Sequence, residues 1–271
     1  MDLGERGHLL VRDVGHRPAL VGRPVVVLLH GWTATADLNF FTCYDALAAD
    51  HRVIAFDHRG HGTGLRSSAR FTLEDCADDA VAVATALDVE RFIAFGYSMG
   101  GAIAQLTWRR HPDRVRGLVL GATAAVFSDH KEERRSFRGL SGLATLARYT
   151  PESMRYWLTE QLYLQRKSSK WEPWAIREAA SHDWRMVLEA GSAIGSFSSR
   201  DWLDELDVPT SILLTMADDV VPLERQAELH ARIAGAEAFR VDGAHDAIVA
   251  NSDRFVPALL AAVESVETRS R

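Results

Sequence analysis

The sequence predicts an α/β fold: a mostly parallel central sheet flanked by helices, with the chain interrupted once by a helical insertion. Three observations carry that prediction. Short continuous apolar runs such as VVVLL, RVIAF and RFIAF alternate with amphipathic helical patterns through most of the chain, as expected of parallel strands buried on both faces. The alternation stops near Val126 and resumes after Ser199. Glycine-rich and polar signals fall just past the ends of the predicted strands, where open α/β sheets form their sites.

Taken in order, VVVLLHG reads as a buried strand and LNFFTCYDALAAD as the helix after it. RVIAFD is a second strand. TLEDCADDAVAVATALDV is a helix, with Thr72 placed to cap it and acidic residues in its first turn to suit the dipole. RFIAFG, a helix from Met99 to about Arg110, and the strand VRGLVLGAT follow. Residues 126–199 hold no strand candidate, many aromatic residues and the charge cluster DHKEERRSFR. VPTSILLTMADD, the helix LERQAELHARIAG, the strand AEAFRVDG and the helix DRFVPALLAAVESV restore the alternation. The expected organisation is therefore a core in two parts, 1–125 and 200–271, with a helical cap over 126–199.

At 271 residues the chain can bury a large core. A net charge of -6 gives no reason to expect nucleic acid or an anionic membrane as partner. The longest apolar run, Val25 to Leu29, is too short to span a bilayer. The first fifteen residues carry no apolar signal core, and Cys43 and Cys76 read as buried thiols rather than a disulfide framework. A cytoplasmic location is expected, and the oligomeric state is left open.

The stretch RFIAFGYSMGGAIAQL carries the chemistry. A strand that turns directly into a helix with Ser98 at the apex strains its own backbone. Positions two before and two after the apex converge, and Gly96 and Gly100 remove the clash. This G-x-S-x-G pattern is a nucleophile elbow, with the hydroxyl pointing out of the turn. A serine hydroxyl needs an adjacent base, itself oriented by a third group. His245, in VDGAHDAI, lies just past the last strand, and the preceding strand ends at LLTMADDVVP, which offers Asp218 and Asp219. Asp242 and Asp246 stand too near His245 in sequence and read as turn carboxylates. Asp218 is the first polar side chain beyond the strand, and neighbouring extended residues point to opposite sides, so Asp218 is the preferred acid. Two N–H donors are needed where an oxyanion develops. Met99 N–H supplies one and Trp32 N–H, after the tight turn at Gly31, the other.

DHRGHG at Asp57 to Gly62 follows the second strand. A metal pair of His58 and His61 would lack further ligands at a suitable spacing, so these residues read as loop braces, and neither metal nor cofactor is expected. His8, His51, His111, His182 and His230 are expected to be solvated.

Together LLHGW, DHRGHG, GYSMGG, the Asp218 loop and GAH resemble the α/β-hydrolase superfamily, most closely its capped carboxylesterase, enol-lactone hydrolase and cofactor-free perhydrolase branch. The resemblance covers residues 8–125 and 200–266. It implies a cap inserted after the sixth core strand, a triad of Ser98, Asp218 and His245, and oxyanion donors Trp32 and Met99. In such a family the acid stands four residues before proline, as Asp218 does before Pro222. The implied activity is cleavage of a small-molecule carboxylic ester or lactone through an acyl-enzyme. Perhydrolase chemistry, C–C bond hydrolysis and a non-catalytic ligand-binding homologue are the alternatives. In the cap, Tyr149, Tyr156, Trp157, Tyr163, the WEPW segment and Trp184 pack helices together or line an apolar acyl pocket.

Overall fold

Alternation of side chains along each strand decides how this sheet is covered. In the computed structural model β4 (Phe92–Tyr97) sends Phe92 and Ala94 to one face and Ile93, Phe95 and Tyr97 to the other. Both sets are fully buried or nearly so. The structure describes residues 1–129 and 181–270 apart from residues 16 and 21, together with Arg135, Phe137, Gly139, Leu140, Leu143, Ala144, Trp174 and Glu178.

The strands are β1 (Val11–Val14), β2 (Val25–Leu29), β3 (Arg52–Phe56), β4, β5 (Val115–Gly121), β6 (Thr210–Thr215) and β7 (Glu237–Val241). They form one sheet in the order β1-β3-β2-β4-β5-β6-β7, parallel except for β1, which pairs antiparallel with β3 at the edge. The chain winds outward from β2 in one direction to β3 and in the other to β4. That reversal opens a crevice beyond the carboxyl ends of the central strands.

One face is covered by α3 (Leu73–Ala86) and α4 (Met99–Arg110). α5 (Trp184–Ser196) and α6 (Leu223–Arg232) extend the same core. The other face carries α1 (Ala36–Phe40), α2 (Tyr44–Ala48), the short α7 (Ala247–Ala250) and the long α8 (Ser252–Arg269). Thr72 caps α3 as its sequence implies, its hydroxyl accepting from Asp75 N–H at 3.0 Å. Cys43 and Cys76 are buried free thiols. Among the described residues no helix is long and apolar enough to cross a membrane.

Three details differ from the sequence reading. The apolar pattern over 38–50 is not one helix: α1 and α2 are separated by a turn at 41–43, where Thr42 donates to the Ile248 carbonyl at 2.8 Å and ties the turn to α7. The insertion leaves after β5, the fifth strand from the N-terminus, rather than a sixth. Ahead of β2 the sheet has only β1, and Asp2 and His8 make an isolated bridge. His51 and His182, expected in solvent, are buried, the former beside Glu267 at 3.4 Å. Tyr149, Tyr156, Trp157, Tyr163 and Trp171, and residues 130–134, 136 and 138 of the charge cluster, lie outside the described residues. Trp174 meets Phe41 edge-on, and Trp184 meets His182.

Beneath the crevice four imidazoles pack together: His30 with His58 and His61, and His61 with His182, at centroid separations of 4.3–5.3 Å. Burial lowers the basicity of all four, and repulsion among the rings adds to it for His58, His61 and His182. Asp57 opposes the shift at His30 and His182, and for His182 the result is a value of about 4. The charge of Arg59, whose guanidinium is paired with Asp79 at 2.8 Å, lowers His58 further. A histidine whose folded value lies below its unfolded value of about 6.5 contributes stability that is complete above that pH and is lost as pH falls toward the folded value. Each proton taken up on unfolding gives a slope of about 1.4 kcal/mol per pH unit. Urea midpoints should therefore fall steadily from pH 6.5 to 4.5, with more than one proton linked. A midpoint constant over that range would show that the rings are not held neutral.

Candidate active site

The strand ends of the crevice bring four loops together, and the most constrained is the one after β4. Ser98 has φ 54° and ψ -117°, a conformation that a non-glycine residue holds only under constraint from its surroundings. The constraint is visible on both sides. A Cβ on Gly96 would lie 2.1 Å from the Gly100 carbonyl oxygen, and one on Gly100 would lie 1.8 Å from that of Leu29. Ser98 N–H donates to Gly121 O at 2.9 Å, while Ser98 O accepts from Gly101 N–H and Thr123 Oγ at 2.9 and 2.8 Å. With both backbone groups fixed, the side chain leaves the turn toward the crevice.

Its partner there is His245, whose Nε2 lies 3.0 Å from Ser98 Oγ. His245 Nδ1 faces both oxygens of Asp218, at 2.9 and 3.1 Å. This network assigns the tautomer: Nδ1–H donates to the carboxylate and the bare Nε2 accepts from the serine hydroxyl. The histidine loop is held by Tyr97, whose hydroxyl donates to His245 O at 2.7 Å. It is also paired with the acid loop through Met216 N–H to Val241 O and Ala217 N–H to Gly243 O, each 3.0 Å.

The Asp218 side chain is fully buried and accepts more than the imidazole. Oδ1 takes Val220 N–H and Val221 N–H at 2.9 and 2.8 Å, and Oδ2 takes Thr215 Oγ–H at 2.7 Å. Burial alone would raise its pKa, but bonds from His245, Val221 and Thr215 outweigh it and hold the carboxyl below its ordinary value. Gln226, buried on α6, locks this arrangement by donating to Thr215 Oγ and Val221 O and accepting from Thr215 N–H. Asp219 points away into solvent and makes no hydrogen bond among the described residues.

The loop after β2 approaches Ser98 from above. A Cβ on Gly31 would come within 3.4 Å of Ser98 Cβ. Gly31 N–H is taken by Asn39 Oδ1 at 2.7 Å. The Gly31 carbonyl accepts from His30 Nδ1–H at 2.8 Å, a tautomer fixed because His30 Nε2 accepts His58 N–H at 2.9 Å. Holding that carbonyl aims the other end of the same peptide, the Trp32 N–H. Met99 N–H opens α4 and has no intrahelical acceptor. Among the described residues neither N–H is bonded. The structure thus brings together Ser98, His245 and Asp218, with Trp32 on an adjoining loop and Met99 at the start of α4.

Sequence reasoning did not single out Tyr97, Thr215, Gln226, Asn39 or the buried His30. One signal was available for Gln226, a neutral amide three residues before Leu229, with which it shares the buried face of its helix. Asn39 and Thr215 carry no sequence signal, because each matters only through a neighbour brought close by the fold.

The chain matches the family model for the alpha/beta hydrolase fold over residues 24–251. A putative non-heme chloroperoxidase from Synechocystis is 27% identical over 267 residues, covering 92% of this chain and 94% of that one. Among solved structures, a thermophilic esterase from Thermogutta terrifontis superposes with a TM-score of 0.78 at 22% identity, over 97% of this chain and 96% of that chain. The enol-lactonase from Burkholderia xenovorans gives 0.76 at 22% identity, over 94% and 96%. At such identities the two structures speak for the fold, and the family model for its membership. With the match spanning the sheet from β2 through β7, the chain belongs to the α/β-hydrolase family.

Proposed function

We propose that this protein is a serine hydrolase that cleaves a small-molecule carboxylic ester or lactone through an acyl-enzyme on Ser98. The observation that carries the reading is the continuous hydrogen-bonded line from Ser98 Oγ through His245 to Asp218. In the first step the Ser98 Oγ–H proton passes to His245 Nε2 as Oγ bonds to the carbonyl carbon. The carbonyl oxygen becomes an oxyanion opposite the Trp32 and Met99 N–H groups. Collapse of this intermediate breaks the bond to the alkoxy group, which leaves with the proton from His245. Water then attacks the acyl carbon, giving its proton to His245, and the carboxylic product departs as Ser98 recovers its hydrogen. Asp218 stabilises the imidazolium in both halves and keeps Nδ1 protonated.

A second reading is favoured by the relative described as a putative non-heme chloroperoxidase. On the same acyl-enzyme, hydrogen peroxide in place of water releases a peracid and regenerates the serine. Peroxide-dependent oxidation of a halide in the presence of a short carboxylic acid distinguishes this from simple hydrolysis. Catalysis takes place in the cytoplasm under either reading, with the insertion over 126–199 covering the crevice as a cap.

The test is a fluorophosphonate probe combined with a panel of esters and lactones graded by acyl size. Labelling should fall on Ser98 alone, and Ser98→Ala should lose both the label and turnover on the order of 10⁴-fold or more. Labelling and turnover that survive the substitution overturn the proposal, and a protein that neither labels nor turns over is a binder.

The two adjacent aspartates give a second test. Asp218→Asn keeps the shape but presents an amide to Nδ1, favouring the wrong tautomer, and kcat should fall by several orders of magnitude. Asp219→Asn, at an exposed position, should cost less than about tenfold. Kinetics of both variants on one ester decide the matter, and a crippled Asp219→Asn would reassign the acid.

A further inference from the structure

The Trp32 N–H is aimed from one side by His30, but the loop that carries it needs holding on the other. Thr33 lies in the left-handed region at φ 60°. For a β-branched residue that is a strained position, kept only where neighbours enforce it. Those neighbours belong to the segment returning from the insertion. Trp32 Nε1–H donates to the Val187 carbonyl on α5 at 2.7 Å. His182 Nε2–H donates to Thr33 O at 3.2 Å, and its Nδ1 accepts Gly62 N–H at 2.9 Å. Asp183 N–H donates to Gly60 O at 2.8 Å.

Packing agrees with the bonds. A Cβ on Gly191 of α5 would lie 2.5 Å from Trp32 Cζ2, so the indole lies flush on the helix at a glycine. A Cβ on Gly60 would lie 2.3 Å from Met186 Cβ. The returning segment therefore closes on the loops after β2 and β3 together.

We infer that Trp32, through its indole, and His182 are positioning residues that fix the Trp32 N–H against α5, so that the seating of the returning segment sets the rate of oxyanion formation. The inference rests on the serine-hydrolase reading above. It predicts a separation of effects. Substrate binding in the ground state does not depend on the N–H being placed to within a fraction of an ångström, whereas transition-state stabilisation does, and a displacement of about 1 Å can cost on the order of 10²-fold.

The experiment compares wild type with Trp32→Phe, which keeps the ring and removes the indole donor, and with His182→Gln and His182→Leu. Glutamine retains an N–H able to reach Thr33 O; leucine does not. Each is measured for kcat and KM on one ester and for inhibition by the matching trifluoromethyl ketone, which adds to Ser98 as an oxyanion-bearing hemiketal. Melting temperatures report folding. In Trp32→Phe and His182→Leu, kcat should fall roughly 10- to 100-fold with KM within about threefold. Ketone affinity should weaken by the same factor as kcat/KM, and His182→Gln should recover most of the loss. Should Trp32→Phe not fold, the Gln and Leu pair carries the comparison. Ketone affinity unchanged, losses confined to KM, or Gln no better than Leu overturns the clamp. A wild-type protein that neither hydrolyses esters nor takes the fluorophosphonate overturns the underlying reading as well.

Discussion

The strained backbone of Ser98 is the constraint around which the rest of the molecule is arranged. A residue at φ 54° and ψ -117° is stable only if its neighbours leave no other path, and here they do so by proximity. Gly96, Gly100 and Gly101 each lie where a Cβ would collide, with the Gly100 backbone, the Leu29 carbonyl and Thr123 respectively. These contacts require β2, β4 and β5 to keep their register, because each supplies one wall. The strain is thus stabilised by the sheet as a whole, through the buried apolar side chains on both of its faces. A serine placed on a loose loop would have neither the direction nor the rigidity to hold its hydroxyl 3.0 Å from His245 Nε2.

Around that point the polar groups are arranged in closed circuits. Asp218 has its two oxygens occupied by Val220, Val221, Thr215 and His245. A buried carboxylate left with open lone pairs would shift toward its neutral form and loosen its hold on His245 Nδ1. Thr215 and Gln226 supply uncharged bonds that keep it ionised without a competing cation, which would weaken the pull on His245. The histidine layer under the loops works in the opposite sense. Its rings are neutral because they are buried, and neutrality lets one ring nitrogen donate while the other accepts, as His30 does between Gly31 O and His58 N–H.

Much of this was legible in the sequence because it is local. The elbow is encoded within five residues, and the strand runs and the Thr72 cap within windows shorter than a helix. Asp218 could be separated from Asp219 by strand alternation, and the structure indeed turns only Asp218 toward His245. What escaped was non-local. His182 reads as a polar residue beside an aspartate, and nothing in its surroundings announces that Gly62 and Thr33 will close over it. The break between α1 and α2 depends on a carbonyl 206 residues away, so helical periodicity alone ran through it. The strand count ahead of the insertion came from the family resemblance and not from the residues: MDLGERGHLL is too rich in glycine and charge to read as a strand, and in the fold it contributes only the isolated bridge between Asp2 and His8.

The order of the strands has a consequence for biosynthesis. β5, apolar and buried in the finished sheet, has β6 as its outer neighbour, and β6 begins at Thr210, almost ninety residues after β5 ends at Gly121. At about 5–20 residues per second a ribosome needs roughly five to twenty seconds to cross that interval. Throughout it the nascent sheet presents a row of unpaired N–H and C=O groups along β5, the kind of edge that recruits other strands. The loops bearing Asp218 and His245 arrive later still, carried by β6 and β7. A nascent chain of this protein therefore exposes a template for aggregation well before it contains a complete set of polar partners for Ser98, and its yield depends on how that edge is shielded during translation.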